Sequence, residues 1–156
     1  MSPHDPLLRL LARCNEEGVE YVLVGGQAVR LNGFLRATED VDLLLRPTRE
    51  NGERVKRALD FLASASDLDP AWFEQKTGPD AEEIENIRVA DELIVDLLFA
   101  ANGETYESLR PYVRELLVED VAIRVLNIEG LLRTKTETRE KDILDRRMLE
   151  RIRRDL

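Results

Sequence analysis

Two aspartates at alternate positions of one apolar run, Asp40 and Asp42 in DVDLLL, constrain this chain more than any other feature. Asp is a poor strand former, yet the surrounding residues read as a strand with Val41, Leu43 and Leu45 facing a core. Residues i and i+2 of a strand share a face, with Cα atoms roughly 6–7 Å apart. Asp40 and Asp42 therefore stand side by side, which is costly unless positive charge lies between them. The usual solution is a hard divalent cation with oxygen ligands, normally Mg²⁺. Upstream, the apolar run at 21–24 stops at Gly25-Gly26. A glycine turn opening a helix lets backbone N–H groups approach an anion such as a phosphate. Many strand-to-helix turns need glycine for no other reason, so the turn draws its meaning from the aspartate pair that follows it.

Val24-Gly25-Gly26 followed at the right distance by Asp40-Val41-Asp42 resembles the signature of the nucleotidyltransferase superfamily, whose fold is shared with DNA polymerase β. The GGQA turn, the run Arg36-Ala37-Thr38-Glu39-Asp40-Val41-Asp42 and a late lysine-bearing helix pair resemble the small bacterial branch around the AbiEii toxins. The resemblance covers the chain from about Tyr21 to the C-terminus. It implies an α+β fold, a mixed β-sheet flanked by helices with a C-terminal helical pair. It also implies a third carboxylate on a later neighbouring strand, and Ile94-Val95-Asp96-Leu97-Leu98 has that form. In the late segment, Lys135 and Lys141-Asp142 match the branch's polar positions, with Asp145 one turn beyond Lys141. Carried over, Lys135 contacts a triphosphate, and Asp142 or Asp145 holds a lysine or a metal-site partner. Gly26 stands where the broad signature commonly has Ser, so that position offers backbone donors only.

Length and composition set bounds. A chain of 156 residues fits one domain, with a core over about 19–126 and C-terminal helices over about 127–156. No apolar run approaches the roughly 20 residues that span a bilayer, and the start MSPHDPLLRL lacks the pattern of a signal peptide. A single cysteine, Cys14, precludes an intrachain disulfide, and a single histidine, His4, precludes a His-based zinc site or a Ser-His-Asp triad within the chain. These features fit a cytoplasmic location. The net charge of −9 argues against broad nucleic-acid binding. The charge is uneven: residues 131–156 carry nine Lys/Arg against six Asp/Glu. That basic tail could approach a nucleotide or an RNA end, or simply be a solvated helix face.

Periodicity predicts a helix over 6–17 with Gly18 as its C-cap, a strand over 20–24 and a short helix over 26–31. Cys14 on the first helix's apolar face reads as a small buried hydrophobe rather than a nucleophile. Thr48 reads as an N-cap, with Val55, Ala58, Leu59 and Leu62 as the inward stripe behind it. Trp72 and Phe73 read as core cover rather than a nucleotide-stacking wall. Strands over 84–89 and 92–99 make a hairpin. Residues 105–116 read as helix broken near Pro111, followed by a strand pair of 117–118 with 121–126. Asn127 caps a helix over 128–134, and a last helix covers 139–153.

Around the turn, Gln27 is either a polar contact to the nucleotide or an exposed helix residue. Arg36 binds phosphate or pairs with Glu39, and Thr38 bonds locally to backbone or helps place a phosphate. Asp96 could be an edge-strand carboxylate in water; beside the first motif it reads as the third catalytic group. Lys141 and Asp145 could be an ordinary i,i+4 pair.

The resemblance implies transfer of a nucleoside monophosphate from an NTP to an acceptor hydroxyl. Asp40, Asp42 and Asp96 would hold Mg²⁺, two ions in the family pattern, with Mn²⁺ as a substitute. Gly25, Gly26, Gln27, Arg36, Thr38 and Lys141 would bind the nucleotide, with Lys135 beside the catalytic carboxylates. The acceptor is an RNA end, a protein or a small molecule, and a cognate antitoxin is an expected partner. A different class remains open, a non-catalytic nucleotide-binding or antitoxin-type interaction module. A drug-modifying transferase is disfavoured because such enzymes usually carry a further helical domain.

Overall fold

The computed structural model describes residues 5–31, 40–74, 86–135 and 139–155, without the side chains of Val29, Arg30 and Lys141. Arg36 and Thr38 lie outside the described residues, as does the side chain of Lys141.

Helix α1, Pro6–Glu16, begins where Asp5 accepts a hydrogen bond from the Leu7 amide at 2.8 Å and Pro6 presets the first turn. Leu7, Leu8, Leu10, Leu11 and Cys14 form its buried stripe. It stops at Gly18, whose φ of +71° lets the Val19 amide turn back to the Cys14 carbonyl. Strand β1, Tyr21–Val24, is buried along its whole length, as a central strand must be. It passes directly into α2, Gly25–Leu31.

Strand β2, Asp40–Leu45, buries Val41, Leu43, Leu44 and Leu45 and leaves Asp40 and Asp42 partly exposed. Helix α3, Arg49–Ala58, starts at Thr48, whose hydroxyl accepts from the Asn51 amide. Two 3-10 turns follow at Ala63–Asp67 and Pro70–Phe73. Strands β3, Asn86–Ala90, and β4, Ile94–Leu98, form the expected antiparallel hairpin.

Pro111 has a larger effect than the sequence reading allowed. Helix α4 is only Tyr106–Leu109; a 3-10 turn covers Arg110–Tyr112, and β5 already starts at Val113 and runs to Val118. The expectation of helix through Leu116 is thus wrong. Proline has no N–H and disfavours helix before it, and all six residues of β5 gain ladder partners on β6, Val121–Leu126. Glu119 and Asp120, with φ of +47° and +69°, make the tight turn between them. Trp72 is a second correction. It is 41% exposed, whereas its neighbour Phe73 is fully buried and meets Phe99 edge-on. Phe73 takes the space that the missing side chain of Gly52 leaves open, since a Cβ there would lie 2.7 Å from the ring.

Among the described residues the strands form one mixed sheet in the order β3-β4-β2-β1-β6-β5. β2 pairs antiparallel with β1 and parallel with β4, and β1 pairs parallel with β6. Helix α5, Ile128–Thr134, is capped by Asn127, which accepts from the Gly130 amide, and α6, Glu140–Arg154, packs against it. Asn51 ties three elements together. Its Oδ1 accepts from the Glu20 amide, and its Nδ2 donates to the carbonyls of Glu20 and Arg46.

Candidate active site

Asp42 is the centre of the site because β2 lies between β1 and β4. Across the antiparallel ladder it faces Val24, the last residue before the glycine turn. Across the parallel ladder it faces Asp96. Side chains directly opposite on neighbouring strands have Cβ atoms about 4.5–5.5 Å apart. The i, i+2 relation adds Asp40 to the same face. Three carboxylates from two strands, 54 residues apart at their closest in sequence, are thereby gathered without any loop having to position them.

The glycine turn closes against the same group. Gly25 has a φ of +70°, the left-handed region that glycine tolerates. A Cβ on it would lie 2.1 Å from Oδ2 of Asp42. Gln27, in the first turn of α2, is 7% exposed, and its Oε1 has no hydrogen-bond partner. It is thus buried, not the exposed helix residue that was the alternative reading.

Crowding shows in the protonation of Asp42. Burial, then the charge of Asp96 and a hydrogen bond with it, then the charge of Asp40, push its carboxyl up to about 6. Lys135 opposes that shift, so its ammonium charge reaches Asp42. Lys135 is 6% exposed at the C-cap of α5, with Nζ 3.1 Å from Asp145 and 3.9 Å from Asp142. Both aspartates sit on α6 and are buried. Lys135, Asp142 and Asp145 thus form a buried charge cluster that ties the end of α5 to α6. Arg146 strengthens that joint by donating to the Leu132 and Lys135 carbonyls at the end of α5.

Sequence reasoning missed one residue of the site. Arg88 stands opposite Asp96 in the β3–β4 ladder. Its Nε donates to Oδ1 of Asp96 at 2.8 Å, and its Nη2 donates to Oδ2 of Asp96 at 3.1 Å and to Oδ2 of Asp40 at 3.4 Å. Nothing in the local sequence marks Arg88; only the hairpin register puts it over the carboxylates.

The donor chemistry suits a hard divalent cation: carboxylate oxygens from β2 and β4 on one face of the sheet. A cation is accommodated there, since the Arg88 guanidinium bridges two of the three acids. Among the described residues, no three His, Cys, Asp or Glu side chains are grouped so that they could hold one metal ion as they stand. A cavity of about 540 Å³ bordered by Glu53, Lys56, Leu62 and Pro70 shares no residue with this face.

A mixed sheet carrying paired acids beside a glycine turn is the plan of a nucleotidyltransferase, and the comparisons agree. The model of the family described as "Nucleotidyl transferase AbiEii toxin, Type IV TA system" matches residues 9–156, so the chain belongs to that family and is a transferase of the nucleotidyl class. Among solved structures, it is similar to a Thermotoga maritima protein provisionally assigned as a nucleotidyltransferase, at 16% identity and a TM-score of 0.56 over 95% of this chain and 88% of that one. It is also similar to ANT(2")-Ia, solved in complex with adenylyl-2"-tobramycin, at 15% identity and a TM-score of 0.53 over 94% of this chain and 90% of that one. At these identities the structural likeness shows the fold. No curated protein sequence matches the chain. No helix among the described residues is long and apolar enough to cross a membrane.

Proposed function

We propose that this protein transfers a nucleoside monophosphate from an NTP to an acceptor hydroxyl in a Mg²⁺-dependent reaction, and acts as the toxin of a toxin–antitoxin pair. The observation that carries the reading is the register of β2 and β4, which sets Asp96 beside Asp42 on the face that Gly25 closes. In the reaction the acceptor oxygen forms a bond to the α-phosphorus. The bond from that phosphorus to the bridging oxygen breaks, and pyrophosphate leaves with the electron pair.

In this reading each site residue has a part to play. Backbone N–H groups of the Gly25-Gly26 turn, with Gln27, bind the phosphates. The unpartnered Oε1 of Gln27 accepts from a donor on the nucleotide or its bound water. Asp40, Asp42 and Asp96 would hold divalent cations, which would supply neutralisation of the phosphates and a lower pKa for the acceptor hydroxyl. Asp96 takes the hydroxyl proton. Lys135, with its charge already felt at Asp42, offsets the negative charge that grows on the leaving group. Arg36, Thr38 and Lys141 complete the phosphate contacts in this reading.

The test is incubation of the purified protein with each labelled NTP, Mg²⁺ and either total RNA or lysate, resolved on a gel. The reading expects label on one acceptor class, absent with chelator and absent in Asp96→Asn. Label that persists undiminished in Asp96→Asn overturns the site. A stoichiometric protein partner with no transfer to any acceptor would replace this reading with that of an interaction module.

A further inference from the structure

Arg88 belongs to the site by contact, yet the chemistry above gives it no role. It rises from β3, at one edge of the sheet among the described strands, and reaches inward over two carboxylates on two different strands. Its two hydrogen bonds to Asp96 form a fork that engages both carboxylate oxygens. Its third, to Asp40, reaches past β4 to β2, the strand that also carries Asp42. Lone pairs directed at a guanidinium are not open to another cation. The anchorage is asymmetric: the Asp96 side chain is 8% exposed, whereas that of Arg88 is 55% exposed. The arginine therefore enters the site from solvent and can leave the same way. Its neighbour Val89, pointing to the opposite face, does the packing for β3.

We propose that Arg88 is a resident counter-charge that competes with the divalent cation for Asp40 and Asp96, and that it must withdraw before the three carboxylates close around an ion. The proposal rests on the nucleotidyl-transfer reading and deepens it by naming what controls the metal site. The sheet register forces the acids together whether or not an ion is bound, so some positive charge must offset their repulsion. Arginine suits that task because it stays protonated at any physiological pH and its planar fork matches a carboxylate. Its single charge is spread over three nitrogens, so a compact divalent ion outcompetes it once that ion is abundant. The cost of displacing Arg88 lowers the apparent affinity for the ion, as any occupied competing state does. Ion loading then becomes conditional: at low free cation the site stays bridged and idle, and at high cation it opens.

The test measures Mn²⁺ binding to the full chain, without nucleotide, from the electron paramagnetic resonance signal of free Mn²⁺. The parent is compared with Arg88→Gln and Arg88→Lys. Removing a competing charge within a few ångströms of the ligands should tighten Mn²⁺ binding in Arg88→Gln by about tenfold or more. Arg88→Lys keeps the charge and should stay close to the parent. If Arg88 instead holds Asp96 in place for the ion, Arg88→Gln binds Mn²⁺ more weakly, and the proposal is overturned. Equal affinities overturn it as well. Failure of both parent and Arg88→Gln to bind Mn²⁺ at millimolar concentration removes the metal reading itself, and this proposal with it. Thermal denaturation guards against a folding artefact. Arg88→Gln should melt below the parent in chelator and gain more from Mn²⁺ than the parent does. A loss that is the same with and without Mn²⁺ marks a merely structural arginine and overturns the proposal.

Discussion

Gly25 and Asp42 touch: a Cβ at position 25 would lie 2.1 Å from Oδ2 of Asp42, well inside any allowed contact. The backbone at Gly25 also has a φ of +70°. Two independent constraints thus exclude a side chain where the strand turns into α2. The glycine turn and the central carboxylate are one packed unit.

Gly25→Ala should therefore lose both stability and transfer. The left-handed backbone alone costs an L-residue about 1–2 kcal/mol, and the clash must also move Asp42. Gly103 is the control, with a φ of +78° but nothing within 4 Å of its hypothetical Cβ. Gly103→Ala should show the backbone cost in its melting temperature and keep its transfer rate. A Gly25→Ala variant that matches Gly103→Ala in both measurements would show that the contact does not matter.

Asp42 gives a pH dependence with a definite sign. Its carboxyl is raised from 3.8 to about 6 by burial first and by Asp96 second. The folded chain therefore binds that proton more tightly than the unfolded chain does. The resulting stability is complete below the unfolded value of 3.8 and is lost as pH rises through about 6. In chelator, Asp42→Asn should equal the parent near pH 4 and exceed it at neutral pH. At about 1.4 kcal/mol per pKa unit, the gain is at most about 3 kcal/mol. Urea denaturation across pH measures the difference. The same variant, and Asp42→Ala, should fold and show no transfer. A parent that gains stability on Asp42→Asn over acid rather than neutral pH would reverse the sign and refute the assignment.

Lys135 should be costly to remove alone and cheaper to remove with its partner. Nζ lies 3.1 Å from Asp145, which is 1% exposed, so Lys135→Met takes a charge partner away from a buried carboxylate. Breaking such a pair from one side costs about 3–5 kcal/mol, whereas replacing both members with apolar groups costs far less. The double variant Lys135→Met/Asp145→Leu should recover much of the lost stability and none of the lost transfer. Additive losses in denaturation would mean that the two side chains do not share their energy.

Asn51 tests the scaffold separately from the chemistry. It is fully buried and joins Glu20, before β1, to Arg46, after β2. Asn51→Ala leaves the Glu20 amide without its partner, at about 1–3 kcal/mol if that group stays dry, while the Glu20 and Arg46 carbonyls still accept from the Arg46 and Thr48 amides. Melting should fall by several degrees, while transfer per folded molecule at low temperature stays near that of the parent. A selective loss of transfer would place Asn51 in the chemistry instead.

Much of the molecule could be read along the chain because the signals are local. Alternation in DVDLLL set Asp40 and Asp42 on one face, and the helix caps at Thr48 and Asn127 were visible as residue types at their positions. The edges of β5 were not, because Val113–Val118 becomes a strand through pairing with β6, a partner that the local pattern does not reveal. Trp72 and Phe73 looked alike in sequence, and the gap beside Gly52 admits only one of them.

By itself, then, the sequence determined which residue types could serve as ligands, turns and caps, since those properties reside in single side chains and their nearest neighbours. Only the tertiary structure decided that Asp96 lies beside Asp42, that Lys135 is held by two aspartates of α6, and that Arg88 bridges Asp96 and Asp40. Each of those contacts depends on strand register or helix packing. A shift of one residue in β3 or β4 would point Arg88 or Asp96 to the opposite face of the sheet.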